Sequence, residues 1–104
     1  MKKEELAACL KGACSGRRYT VKSAELERVL HISGTELRKL VNQLRREGVP
    51  IASNREGYFY ARTAGEVYST IRQLRLMVQG LEAAIHGLET ALEKFEAPAG
   101  GEDP

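Results

Sequence analysis

The sequence predicts a mainly α-helical chain with one small β-hairpin and a long C-terminal helix. Three observations carry this expectation. Short apolar rows at helical spacing recur between residues 3 and 44. Two β-rich runs flank a four-residue turn at residues 54–57. From Val67 to Phe95, nine apolar residues follow one another at alternating steps of four and three. The chain has 104 residues, 42% of them hydrophobic and 29% charged, room for one small domain and one further element. We expect a domain over residues 1–62, an assembly helix over 63–97 and a disordered acidic tail over 98–104. A domain of about 60 residues buries a core only marginally, so stability assisted by a partner is expected.

Residues 3–13 place Leu6, Cys9, Leu10 and Ala13 on one helical face, and Ser15-Gly16 breaks the pattern. Tyr19-Thr20-Val21 is long enough only for a small strand. Ser23 reads as an N-cap with Glu25 in the first turn, opening a short helix that buries Leu26, Val29 and Leu30. His31-Ile32 interrupts it. Ser33-Gly34-Thr35-Glu36 is a capping box, in which the serine hydroxyl accepts the Glu36 amide. The helix behind it carries Leu37, Leu40, Val41 and Leu44 on one face, and Gly48 closes it in the left-handed conformation. Val49–Ser53 and Tyr58–Ala61 then flank Asn54-Arg55-Glu56-Gly57, with Asn first and Gly last, as turns favour. Pro50 stands at the strand start, where a missing donor is tolerated. Tyr58 and Tyr60 share one face and Phe59 takes the other. We expect them in the core rather than stacked on bases. Thr63-Ala64-Gly65-Glu66 is a second capping box, opening a helix that runs to about Glu96 before Pro98 and Gly100-Gly101.

Helix, short strand, helix, helix and hairpin is the order of a winged helix-turn-helix domain. The residues that carry a closer likeness are Tyr19-Thr20-Val21, Glu25-Leu26 with Val29-Leu30, Ile32-Ser33-Gly34-Thr35, Val41-Asn42-Gln43-Leu44-Arg45-Arg46-Glu47-Gly48, Pro50-Ile51 and Gly57-Tyr58. Through them residues 4–62 resemble the N-terminal DNA-binding domain of biotin operon repressor-like proteins. The resemblance implies a winged helix-turn-helix fold and binding of double-stranded DNA. It does not extend to the biotin-ligase domain of that family, so neither biotin chemistry nor effector sensing carries over. The family pattern places Gly in the turn between the two helices, where this sequence has His31. His is among the non-glycine residues that adopt positive φ, so we read His31 as a structural turn residue.

Charge is unevenly laid out. Residues 1–62 hold thirteen Lys and Arg against seven Glu, and residues 63–104 hold three against seven acidic residues. A basic front beside an acidic back suggests a polyanion-binding head on a separate assembly element. On the helix after Ser33, the core direction set by Leu37, Leu40, Val41 and Leu44 turns Thr35, Lys39, Asn42 and Arg46 away, flanked by Arg38 and Gln43. Arg and Lys pair with guanine and Asn with adenine, and positions near the helix start reach bases. We therefore expect Thr35, Arg38, Lys39 and Asn42 on base edges and Arg46 on phosphate. Asn54 and Arg55 stand at the wing tip, and Arg17, Arg18 and Lys22 add phosphate contacts.

In the back half, Ile71, Val78, Ile85 and Leu92 fall at heptad position a, and Val67, Leu74, Leu81, Leu88 and Phe95 at d. This seam argues for a coiled coil, and β-branched a with Leu at d favours parallel dimers. Met77, Ala84 and Ala91 at g widen the stripe, and Gly80 and Gly87 extend a row of small residues. Close, antiparallel or four-helix packing therefore also stays open. The e positions Arg75, Glu82, Glu89 and Glu96 lack basic g partners, so charge between e and g does not fix orientation. At about 33 residues and 1.5 Å each the helix spans roughly 50 Å, more than a small domain covers, so we expect self-association as a homodimer or a tetramer.

Cys9 and Cys14 lie near no histidine, and zinc needs about four ligands; we expect reduced thiols with Cys9 in the core. Met1-Lys2-Lys3-Glu4-Glu5 has no apolar stretch behind it, so we expect no secretory signal and a cytoplasmic location. There is no Gly-rich phosphate loop, H-E-x-x-H or G-x-S-x-G motif, and we expect no enzymatic activity, cofactor, small-molecule ligand or membrane association. The expected function is sequence-specific double-stranded DNA binding as a dimer, in a prokaryotic or phage transcriptional regulator. A protein-interaction adaptor and a replication or partition accessory protein are the alternatives.

Overall fold

Leu6 and Leu10, one helical turn apart, are fully buried in the first helix, α1 (Lys2–Ala13). They meet Leu26 and Leu30 of α2 (Ser23–Leu30) and Leu37, Val41 and Leu44 of α3 (Gly34–Arg46) in one cluster. A hairpin of β1 (Ile51–Asn54) and β2 (Gly57–Tyr60) follows, then α4 (Ala64–Leu92). These residues belong to a computed structural model that describes residues 1–95. The architecture is mainly helical, with a small antiparallel hairpin and a long C-terminal helix, and is compatible with a winged helix. Its contacts divide the chain into two units, Met1–Ile71 and the stretch from Arg72 onward. The division falls inside α4. Among the described residues no helix is long and apolar enough to cross a membrane.

Each buried leucine contributes about 1.5–3 kcal/mol, so a core dominated by six Leu and one Val rests on few side chains. Short polar contacts seal its ends. The Lys2 ammonium donates to the Leu30 carbonyl at the end of α2, and Lys3 pairs with Glu47 at 2.7 Å just beyond α3. Cys14, just past α1, is buried in the core, whereas Cys9, expected in the core, is half-buried and packs on its edge. Both are free thiols, and burial pushes the Cys14 thiol above its ordinary pKa. Ala13 is exposed.

Ser23 is not the cap of α2. Lys22 stands at the cap with extended backbone, and no side chain bonds to the first turn. The Lys22 carbonyl instead accepts from the Glu25 and Leu26 amides, at 3.0 and 3.2 Å. Val29 is exposed rather than buried. Leu26 and Leu30 define the inward direction, and Val29 lies about 80° from it at 100° per residue. His31 ends α2 at φ 57°, the single non-glycine residue with positive φ among those described. Its amide and that of Ile32 both donate to the Glu27 carbonyl, closing the turn. The turn into α3 is then capped as expected, the Glu36 amide donating to Ser33 Oγ at 3.1 Å.

The expected strand over 19–21 contracts to one residue. Arg17–Tyr19 forms a 3-10 turn, and of residues 19–21 only Val21 bridges the hairpin, exchanging hydrogen bonds with Tyr58 at 2.8 and 2.9 Å. Tyr60 is bonded likewise to Cys14 and Gly16, so the outer edge of β2 is covered. Gly57, at φ 147°, is required where Val21 crosses: a Cβ there would lie 1.9 Å from the Val21 carbonyl oxygen. In the hairpin register Ile51 faces Tyr60, Ala52 faces Phe59 and Ser53 faces Tyr58. Ile51, Tyr58 and Tyr60 pack on the three-helix cluster, while Phe59 and Ala52 are buried on the opposite face.

The first turns of α4 belong to the same unit as the hairpin. Thr63 Oγ1 accepts the Glu66 amide at 3.1 Å, the capping contact expected. The Glu66 carboxylate, however, reaches the amides of Arg62 at 2.7 Å and Arg17 at 3.1 Å. Thr70, buried, accepts from the Ser53 amide at 3.1 Å.

In the second unit α4 continues to Leu92, not to Glu96. Glu93, Lys94 and Phe95 follow with bonds to residues three back, the tightening that helix ends show where carbonyls run out of partners. Phe95 therefore lies past the helix, not at its last d position. Val78, Leu81, Ile85, Leu88 and Leu92 are each more than half exposed. Ile71 and Leu74 are about a third exposed, and Val67, in the first unit, is half-buried. The expected tail over 98–104 lies outside the described residues.

Candidate nucleic-acid interface

α3 is polarised around its axis. Leu37, Val41 and Leu44 are 1, 2 and 3% exposed. Thr35, Arg38, Lys39, Asn42, Gln43 and Arg46 are all exposed on the remaining surface. The Ser33 cap fixes where the helix starts, so these side chains are carried at helical spacing from a defined origin. Arg38 donates to Thr35 Oγ1 at 3.4 Å, aligning two of them along one edge. Among the described residues the ion pairs are Lys3–Glu47 and Arg28–Glu25. Arg38, Lys39 and Arg46 are in neither pair; the Glu27 carboxylate lies near the Arg38 guanidinium beside Gly34, and Glu47, the acid nearest Arg46 in sequence, is engaged by Lys3.

A second group gathers at the hairpin. Arg55 is exposed in the two-residue turn between the strands. Lys22 follows Val21, whose bridge to Tyr58 brings it against the Gly57 backbone. Asn54 is placed differently from Arg55. Its amide nitrogen donates to Thr20 Oγ1 at 3.3 Å, and its oxygen accepts from the Glu56 and Gly57 amides at 2.8 and 3.2 Å. Asn54 thus spends its side chain building the turn. Arg17 and Arg18 are exposed on the 3-10 turn, the Arg17 amide held by Glu66 and the Arg18 guanidinium 5.8 Å from the Tyr19 ring centre.

Arg45 carries a role that sequence reasoning missed. Its Nε donates to the Ile51 carbonyl at 2.8 Å and its Nη2 to Ser53 Oγ at 3.1 Å, bracing β1 against α3. Burial lowers its pKa from the ordinary arginine value, with Tyr58 acting weakly the other way, and it stays charged. The signal was its place beside Leu44 and four residues after Val41, on the flank of the buried row. Among the described residues no three His, Cys, Asp or Glu side chains gather where they could hold a metal ion.

The arrangement offers cations and hydrogen-bonding groups on the exposed side of a capped helix, groups that suit a polyanionic surface. Comparison of the chain with protein-family models, with curated proteins and with solved structures returned no match.

Proposed function

We propose that this chain is a winged helix-turn-helix protein that binds double-stranded DNA sequence-specifically as a dimer, acting as a prokaryotic or phage transcriptional regulator. The observation that carries the reading is the exposed face of α3. Thr35, Arg38, Lys39 and Asn42 lie there over the first three turns, the part of such a helix that meets base edges. Arg46, at the far end, suits a phosphate, and Arg55 suits the backbone or a minor groove. Arg17, Arg18 and Lys22 add sequence-independent attraction. The seam of α4 supplies the pairing that a two-fold operator requires, with its half-sites about 34 Å apart.

The experiment is a salt titration of binding to random duplex and to sites selected from a randomised pool. Affinity falls steeply as salt rises, and Arg46→Ala makes the logarithmic slope shallower by about 1 while weakening all sequences alike. Absence of duplex binding at low salt overturns the reading in favour of a protein-interaction adaptor.

A further inference from the structure

From Arg72 to Leu92 every residue of α4 except the half-buried Ala91 is exposed. A second copy is the occupant that supplies a matching row, and the charges beside the seam set its direction. One flank carries Tyr68, Arg75, Glu82 and Glu89; the other carries Thr70, Met77, Ala84 and Ala91, with no charge at all. In a parallel pair each flank meets the opposite flank of its neighbour, so the charges face Thr70, Met77 and Ala84 and find no partner. In an antiparallel pair each flank meets its own kind, and the arginine end of one helix lies along the glutamate end of the other. Antiparallel alignment also sets the helix dipoles head to tail. The preference for β-branched a and Leu d sorts the number of strands among parallel coils and leaves orientation to the flanks.

We infer that α4 pairs antiparallel with α4 of a second copy, in the register that sets Val78 of each chain against Leu81 of the other. The inference rests on the self-pairing proposed above and gives it a direction. In this register Ile71 meets Leu88, Leu74 meets Ile85, and Val67 meets Leu92. Arg75 lies beside Glu82 and Tyr68 beside Glu89, each twice by symmetry, and Met77 fills the space over Ala84. Sliding one heptad one way sets Arg75 on Arg75. Sliding one heptad the other way sets Glu82 on Glu82 and Ile71 on Phe95, beyond the helix end. A Cβ at Gly80 or Gly87 would meet nothing within 4 Å, so the uncharged flank has room for close approach.

The test uses full-length Val78→Cys and Leu81→Cys chains, one isotopically labelled, mixed in a glutathione redox buffer, with disulfides mapped by peptide mass spectrometry. The expected product joins position 78 of the Val78→Cys chain to position 81 of the Leu81→Cys chain, in excess over either homodisulfide. In parallel, Arg75→Glu raises the dimer dissociation constant about tenfold, and adding Glu82→Arg restores it. Leu81→Cys homodisulfides equalling or exceeding the mixed product, or Arg75→Glu without effect, overturn the antiparallel register while leaving self-pairing intact. Wild-type chain that sediments as a single copy at tens of micromolar overturns self-pairing itself, and the register with it.

Discussion

In α3, Leu37, Val41 and Leu44 are 1–3% exposed; in α4, Val78, Leu81 and Ile85, spaced in the same three-and-four rhythm, are 51–66% exposed. Both rows are apolar stripes on helices of good propensity. The difference lies in what surrounds them. α3 is followed within a few residues by elements that fold back upon it, Ile51, Tyr58 and Tyr60 among them. The stripe of α4 continues to the helix end with no such element after it among the described residues. A periodic row therefore states that a face will be buried and not by which chain.

That contrast is broken most strongly at α4. On the proposed self-pairing, Leu81→Asp with Ile85→Asp places four carboxylates in an apolar interface and raises the dissociation constant more than about a thousandfold. Sedimentation then shows single chains, and the far-ultraviolet dichroism of the Met1–Ile71 unit is retained. Leu37→Ala in α3 is the counterpart. It costs the fold about 3 kcal/mol by leaving a cavity, and denaturant unfolding finds the same loss at low and high protein concentration. A loss that grew on dilution would mean that the α3 core, too, is completed by a partner.

A smaller effect lies within the first unit, at the start of α4. The Glu66 carboxyl is held below the usual glutamate range by the Arg62 amide first, then by that of Arg17. A pKa lowered by folding stabilises the fold above the unfolded value of about 4.3, and the contribution is lost as the pH falls through the folded pKa. Glu66→Gln therefore flattens the acid limb of the stability–pH profile below about pH 4 and leaves self-association at neutral pH unchanged. Thermal unfolding across that range is the measurement; identical acid limbs would show that the carboxylate contributes nothing to holding Arg17.

What the sequence made legible is local. The Ser33 cap, the left-handed His31, the Gly48 stop, the hairpin and the Thr63 cap each depend on a few neighbouring residues, and each forms. Leu37, Val41 and Leu44 were legible because a long amphipathic helix fixes its own inward direction. What escaped depends on distant neighbours. The eight-residue α2 defines its buried side too loosely to exclude Val29, and its Ser23 lies just inside the helix. Cys14 is deeper than Cys9 because chain beyond the helix turns into the hairpin edge, which no helical wheel represents. Strand 19–21 reduced to Val21 because Arg17–Tyr19 closed on itself. At the candidate interface, the exposure of Thr35, Arg38, Lys39, Asn42 and Arg46 followed from periodicity. The inward bonds of Asn54 and Arg45 needed the hairpin's seat against α3 and the loop at Thr20.

Arg45 has a consequence beyond its two hydrogen bonds. It joins α3 to β1, and the Ser53 amide in turn bonds to Thr70 in the early turns of α4. α3, the hairpin and the first turns of α4 are thus fastened to one another within the fold. The loss of freedom in arranging them is taken during folding, so on the proposed function an encounter with duplex has less disorder to remove.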